Sequence, residues 1–280
     1  MGQSDLRYQY AIGPPDSGTR KVNRWTIAII TIGILVVGAL FSLIYYSTAQ
    51  VSSKSFTYAL PVGSYRSLSI SDVDGLVAVK PWSQPWILIN GTLTAKGLGS
   101  SLSTITLTNS TTNGDLFFKA SFPASAGILF SQTFTAAINV YVPPSARFET
   151  VQVTNVNGGI RLDNLNSTTV GTKTANGNIQ FDCVYCVNAT AVSTNGNVTA
   201  RFATLLMKGT YNLTTTNDNI SFTAPSSASF QLSATVMNGS IYCDICTSGA
   251  SGKTVTQTFN GGAAAVNLNS INGQITITGT

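Results

Sequence analysis

Four cysteines, arranged as two identically spaced pairs, give the clearest chemical signal in this sequence of 280 residues. Cys183 and Cys186 enclose two residues, and so do Cys243 and Cys246. In a cytosolic protein such CxxC pairs indicate zinc, whereas outside the cell they favour disulfides. A redox-active CxxC needs a helix N-terminus, which this region lacks. The pattern predicts two local disulfides, with free thiols and a metal or redox site as the alternatives.

The carboxylates are few and offer little for catalysis. Asp163 and Asp182 each follow a turn glycine at the same distance, so they could stack as the facing pair that glycosidases need. The simpler interpretation is two solvated surface acids. Because the chain also lacks histidine, the commonest general base, metal ligand and pH switch are missing. We therefore predict a non-enzymatic protein without catalytic residues, metal or cofactor.

Two tryptophans, Trp82 and Trp86, lie close together in the segment PWSQPW. They could form an aromatic platform for a sugar. Such residues more often pack over the open end of a β core, and we favour this role.

Eight Asn-x-Ser/Thr sequons indicate N-linked glycosylation of an exported domain. They begin at Asn90, Asn109, Asn166, Asn188, Asn197, Asn212, Asn219 and Asn238. Chance in an Asn- and Thr-rich chain explains some of them. Asn197, Asn219 and Asn238 lie in a repeated turn, where asparagine also suits the backbone. We expect roughly half to be modified if the host glycosylates.

The element that must position these residues is a corner motif, Asn-Gly-x-Ile/Val, which recurs through the C-terminal half. Its copies begin at Asn157-Gly158, Asn176-Gly177, Asn195-Gly196, Asn238-Gly239 and Asn272-Gly273, with a variant at Asn217-Asp218 and an early outlier at Asp74-Gly75. From Gly158 to Gly239 the interval between successive corners is nearly constant, and the last interval, to Gly273, is longer. A period of roughly 20 residues, as found here, signals a repeat architecture.

Apolar residues alternate after the corners, as in Ile179 and Phe181 or Ile275 and Ile277. This period of two predicts strands with one buried face. Asn-Gly between strands also signals an antiparallel hairpin, which would give a meander or sandwich. A parallel β-helix instead uses one corner in each rung, and equivalent corners favour it. We predict an all-β domain with a parallel β-helix-like repeat, and the antiparallel meander or sandwich is the runner-up.

Residues 138–153 (INVYVPPSARFETVQV), followed by NVNGGI and TANGNI, resemble the putative-adhesin β-helix family. Its members have a strand, a Pro-rich corner and rungs that end in Asn-Gly-x-Ile. Residues 69–79 (SISDVDGLVAV) are similar to its opening strand pair. The resemblance covers roughly residues 55–280 and implies a right-handed β-helix at the cell surface, with no catalytic residues. Residues 99–135 depart from the rung pattern, which indicates an insert or an irregular first part.

On the β-helix interpretation the two cysteine pairs lie three rungs apart, about 14 Å at 4.8 Å per rung. A disulfide needs Cα atoms within roughly 7 Å, and zinc–sulfur bonds are near 2.3 Å. Neither a bridge between the pairs nor a shared zinc site fits this separation, so local bridges within each pair are expected.

An uncharged segment from Trp25 to Tyr46 is long enough, at about 1.5 Å per residue, to span a bilayer core of roughly 30 Å. Arg20, Lys21 and Arg24 precede it, so the positive-inside rule places the N-terminus in the cytoplasm. A cleaved signal peptide is the alternative, because residues 47–49 resemble a cleavage site. The apolar run is longer than a typical signal core, which favours an anchor.

Only 9% of the residues are charged, against roughly 25% in typical soluble domains. The net charge of +5 is spread thinly and no basic run lies in the C-terminal part, which argues against nucleic acid as a partner. The polar surface must consist mainly of Ser, Thr, Asn and Gly, which suits an exterior coated with glycans or exposed to harsh pH.

These features predict a cytoplasmic tail (1–24), a transmembrane helix (25–47), a juxtamembrane linker with the first strand (48–65) and a β-repeat ectodomain (66–280). The predicted function is adhesion or surface structure at the plasma membrane, with a surface glycan or protein as ligand. The alternatives are a signalling or regulatory membrane accessory and, less favoured, a carbohydrate-active β-helix enzyme. We also predict homo-oligomers that form through an open strand edge at residues 272–280.

Overall fold

A computed structural model describes residues 23–49, 51–61, 65–97, 100–123, 132–247 and 252–280. The elements are α1 (Arg24–Ala49), β1 (Val51–Pro61), β2 (Ser67–Ser71), β3 (Val77–Pro81), β4 (Trp86–Lys96), a 3₁₀ helix (Leu102–Thr104), β5 (Thr106–Thr112), β6 (Asp115–Ser121), β7 (Thr133–Val142), β8 (Phe148–Thr154), β9 (Ile160–Asn176), β10 (Ile179–Asn195), β11 (Val198–Phe202), β12 (Thr210–Thr215), β13 (Ile220–Ala224), β14 (Phe230–Cys243), β15 (Thr254–Phe259) and β16 (Ala264–Gly279). The strands all belong to one unit, Ser47–Thr280, which is separate from the unit that contains most of α1.

Helix α1 is apolar on all sides. Its segment Ile27–Tyr45 has a mean hydropathy of 2.8, and none of that segment is buried in the protein. Its 19 residues extend over about 28 Å, close to the thickness of a bilayer core. A helix of this length and composition can cross a membrane, and a signal sequence near an N-terminus has the same properties.

The strands of the larger unit pair mainly in parallel. The long strands β9 and β10 run from the residue that begins one rung to the asparagine of the next corner. They pair in parallel from Ile160 beside Ile179 to Asn176 beside Asn195. Alternating burial along both strands directs every second side chain into a shared interior. The predicted parallel β-helix-like repeat is confirmed.

The interior contains a run of aromatic rings in contact with one another. Phe181, Phe202 and Phe222 follow one another with ring centroids 5.4 and 5.6 Å apart. The Phe230 ring lies 6.1 Å from that of Phe222, and the Phe259 ring lies 4.5 Å from that of Phe230. Burying each ring contributes roughly 1.5–3 kcal/mol. Because the neighbouring rungs supply much of this burial, a rung removed from the stack would lose most of its core.

Chain order and spatial order differ near the C-terminal end of the stack. β11 pairs with β13, β13 with β16, and β16 with β14. The last strand therefore lies between two earlier ones. The predicted open edge at residues 272–280 is wrong, because β16 is paired on both sides. The edge at this end belongs to β14, and β15 pairs only with its Phe230–Thr235 part.

Antiparallel pairs occur at the ends of the stack and not at the repeated corners. β1 pairs with β4 and β4 with β7, while β5–β6 and β14–β15 are hairpins. The antiparallel meander, the second fold considered from the sequence, thus describes only these ends of the stack. β1, predicted beside a linker, pairs with β4 over all of Val51–Pro61 and is part of the repeat sheet. The irregular segment 99–135 contains the 3₁₀ helix and the β5–β6 hairpin, although residues 99 and 124–131 lie outside the described ranges.

Candidate functional site

The corners place a ladder of asparagine side chains along the outside of the stack. At each step, Nδ2 of one asparagine donates to Oδ1 of its neighbour over 2.7–2.9 Å. The ladder runs in spatial order through Asn157, Asn176, Asn195, Asn217, Asn272 and Asn238. All the predicted repeat turns are brought into one row, and the variant corner at Asn217 is a full member.

The glycine after the ladder asparagine lets neighbouring corners approach closely. A Cβ atom on Gly177 would overlap the carbonyl of Gly158, and one on Gly196 would overlap that of Gly177. Gly158 faces the carbonyl of Gly75 in the same way, so the early Asp74-Gly75 corner begins this column. Only glycine leaves room for such backbone contact.

A second row, of buried hydroxyls behind the ladder, was missed by the sequence-based predictions. Each hydroxyl donates to a corner carbonyl of a neighbouring rung over 2.9–3.0 Å. The donors are Thr174, Ser193, Thr215 and Ser270, and the acceptors are the carbonyls of Gly158, Gly177, Gly196 and Asp218. The available signal was a Ser or Thr two residues before the corner asparagine.

Outward side chains that follow the corners line a groove of about 260 Å³. Its polar side chains, termed the amide face below, are Asn178, Gln180, Asn197, Thr199, Asn219 and Ser221. Oδ1 of Asn178 accepts the backbone N–H of Asn197 at 2.9 Å, and Oδ1 of Asn197 accepts that of Asn219 at 3.1 Å. Oδ1 of Asn219 likewise accepts the N–H of Gln274 at 2.7 Å. Their carbonyl oxygens are thereby fixed against the stack, and no described residue accepts from their Nδ2 groups.

The cysteines lie at disulfide distance within each pair. Cα–Cα separations are 6.1 Å for Cys183–Cys186 and 5.5 Å for Cys243–Cys246. The two pairs are four strand steps apart, because β11, β13 and β16 lie between β10 and β14. The predicted separation of three rungs is therefore wrong: the pairs are one rung further apart, because β16 lies between β13 and β14. The larger distance still leaves only bridges within each pair.

Asp163 and Asp182 do not form an isolated acidic pair. Nε of Arg161 donates to both carboxylate oxygens of Asp163, at 2.8 and 2.9 Å. This contact raises the pKa of Arg161. Asp182 is in register with Arg201 on the next rung. Asp163 is thus held in an ion pair with Arg161, an arrangement that differs from the facing carboxylates of a glycosidase.

Trp82 and Trp86 contact each other edge to face. Their ring centroids are 5.5 Å apart at 88°, and Nε1 of Trp82 donates to the Trp86 carbonyl at 2.7 Å. Tyr141 lies 5.6 Å from Trp82. These contacts leave no flat platform of two parallel rings, and the predicted packing over the open end of a β core stays a prediction.

Comparison with known proteins places this geometry in a family. Residues 39–278 match Toastrack DUF4097. The chain belongs to the Toastrack DUF4097 family. Among solved structures, a putative cell adhesion protein from Clostridium sporogenes ATCC 15579 is similar, with a TM-score of 0.52, 10% identity, and coverage of 82% of this chain and 100% of that one.

A putative adhesin from Bacteroides fragilis NCTC 9343 gives a TM-score of 0.33 at 12% identity, covering 81% of this chain and 98% of that one. No curated protein matches the sequence. At these identities the Clostridium structure supports the Toastrack fold alone.

The sequons of this Toastrack chain differ in how their amides are used. Five of them, at Asn188, Asn197, Asn212, Asn219 and Asn238, have side-chain hydrogen bonds to a neighbouring rung. Asn109 is exposed on β5, away from the ladder. Glycosylation, expected at roughly half of the eight, stays a prediction.

Asp72 is the one described side chain with a buried polar atom that lacks a partner. It is 1% exposed, and its Oδ2 has no hydrogen bond. Burial raises the pKa of Asp72 to about 7, although the backbone N–H groups of Val73 and Asp74 oppose the change. Within the described residues no three His, Cys, Asp or Glu side chains are grouped to hold a metal.

Proposed function

We propose that this Toastrack protein is anchored in the plasma membrane by α1. Residues 1–24 lie in the cytoplasm, and the β-repeat domain lies outside the cell, where it serves adhesion or surface structure. The apolar length of the segment Ile27–Tyr45 and the cations before it, Arg20, Lys21 and Arg24, support this topology.

The observation that carries the adhesive role is the asparagine ladder on its parallel stack. Rungs joined by side-chain bonds at 2.7–2.9 Å make a rigid body with a long, uncharged and repetitive outer row. Such a row can make many equal contacts with an extended partner. It offers no nucleophile with an adjacent base, which a catalytic surface would need.

The cysteine geometry supports an extracytoplasmic location. Two CxxC pairs at disulfide distance suit an oxidising compartment, since thiols stay reduced in the cytosol. The eight sequons point the same way, and Asn109 is exposed on β5.

Protease treatment of intact cells tests the topology. The full chain carries an N-terminal tag and a C-terminal epitope, and protease should remove only the epitope. The intact mass should include residues 1–49. Protection of both tags, or a mass that shows cleavage after Ala49, would contradict the anchored topology.

Retention of cells on host-derived and abiotic surfaces tests the adhesive role. Cells displaying the full chain should be retained more than cells with a matched truncation that keeps residues 1–50. Equal retention of the two on every surface would overturn adhesion while leaving the topology result intact.

A further inference from the structure

We propose that the amide face binds a neutral polysaccharide, an inference that rests on the proposed surface function and names its ligand class. The site is the groove of about 260 Å³ beside the asparagine ladder.

The groove presents a row of oriented donors. The Oδ1 atoms of Asn178, Asn197 and Asn219 are held by backbone N–H groups at 2.7–3.1 Å, which leaves their Nδ2 groups as donors to a ligand. Adjacent parallel strands place these donors about 4.8 Å apart. A row of fixed, evenly spaced donors matches a polymer with hydroxyl and ether oxygens in every repeat unit.

The lining also selects against other ligand classes. Among the described residues no charged side chain lines the groove, whereas a sulfated or uronic acid chain would be met by Arg or Lys. Ile179 is the only apolar residue in the described lining, so an apolar ligand would find little hydrophobic contact. A folded protein partner would meet no Trp, Tyr or Arg anchor in this same lining.

An exposed aromatic ring extends the row at the open end of the stack. Ser221 is in register with Thr276, and Thr276 with Tyr242. Tyr242 is 56% exposed. Its ring can pack against the C–H face of a sugar while the phenol keeps a polar contact. The proposed track therefore runs from Gln180 through Thr199, Ser221 and Thr276 to Tyr242.

The sequons at Asn197 and Asn219 lie inside this groove, so an attached glycan would occupy it. The binding experiment therefore uses full chain made in a non-glycosylating host and reconstituted in lipid nanodiscs. Neutral glucan, mannan and galactan are compared with sulfated and uronic acid polysaccharides. The structure predicts binding of at least one neutral polymer and weaker binding of the anionic ones.

The N178D variant tests the donors directly, because it keeps Oδ1 for the N–H of Asn197 and replaces the Nδ2 donor by an acceptor. Its affinity for the neutral polymer should fall about tenfold or more. The N109D variant, which changes the charge equally on exposed β5, should bind like the native chain. Equal melting temperatures of both variants show that the fold is kept.

Three results would overturn the inference: no neutral polymer binds, anionic polymers bind best, or N178D binds as tightly as the native chain. If cells are still retained although no glycan binds, this inference is wrong and the adhesive function is still supported. If neither cell retention nor glycan binding is observed, both the adhesive function and this inference are contradicted.

Discussion

Asp72 occupies in the first corner the position that Asn155 occupies in the next rung. Oδ1 of each accepts the following backbone N–H, from Val73 and Val156 respectively, at 2.8 Å. Nδ2 of Asn155 then donates to the Gly75 carbonyl at 2.7 Å. Oδ2 of Asp72 has no such partner among the described residues. A carboxyl at this buried position is more favourable with its proton than without it.

The consequence for stability follows from the direction of the shift. The pKa of Asp72 is about 7 in the folded chain, against 3.8 for an unperturbed aspartate. Between those values the folded state holds a proton that the unfolded state has released. The contribution of protonated Asp72 to the free energy of unfolding is therefore fully present below about pH 4. It is lost as the pH rises toward 7.

Replacing the carboxyl by an amide should remove this pH dependence. The native chain should lose roughly 2–4 kcal/mol of unfolding free energy between pH 4.5 and 8, while D72N should change little. Urea denaturation at both pH values measures the difference. D115N, at an exposed position, should keep the native profile; a D72N chain that keeps it too would show that another group is responsible.

The buried hydroxyl row makes a second prediction at this scale. Thr215 is 0% exposed and its Oγ1 donates to the Gly196 carbonyl at 3.0 Å. T215V keeps the shape and leaves that carbonyl without its donor, which should cost about 1–3 kcal/mol in denaturant unfolding. T194V, at an exposed position of the neighbouring strand β10, should change stability by less than about 0.5 kcal/mol. Equal effects of the two would contradict a structural role for the row.

At the scale of the elements, the repeated corner predicts most of the fold. Asn-Gly corners at nearly constant spacing, followed by alternating apolar residues, identify rungs such as β9 and β10 and their parallel pairing. The antiparallel ends lack this corner motif, so β5 and β6 could be recognised only as a departure from it. The amide face was not predicted, although Asn178, Asn197 and Asn219 occupy the same place after three successive corners, because that position varies at the other corners.

The close approach of corners predicts a large effect at one glycine. A Cβ in G177A would overlap the Gly158 carbonyl, so the rungs would have to separate. The variant should lose about 2 kcal/mol or more of unfolding free energy, with a lower melting temperature. G252A is the matched control, because the nearest atom to its Cβ would be 3.7 Å away. A G177A protein as stable as G252A would refute the tight stacking of corners.

At the scale of the whole molecule, the order of the final strands could not be read from the sequence. Near-equivalent rungs present nearly equivalent edges, so the corner motif identifies each rung without naming its neighbours. The long gap between the corners at Gly239 and Gly273 is the only hint in the sequence, and it contains the added strand β15. β14 pairs with β15 and β16, and β16 also pairs with β13, so β16 lies inside the stack.

A pair of engineered cysteines tests this stacked arrangement most directly. The hydroxyl oxygens of Thr223 on β13 and Thr278 on β16 are 2.9 Å apart. Residue 244 directly follows β14, and β16 separates β14 from β13. Peptide mapping after mild oxidation should find a crosslink in T223C/T278C and none in T223C/D244C, with the native disulfides intact. A crosslink in the second variant and not in the first would place β14 beside β13 and contradict the fold.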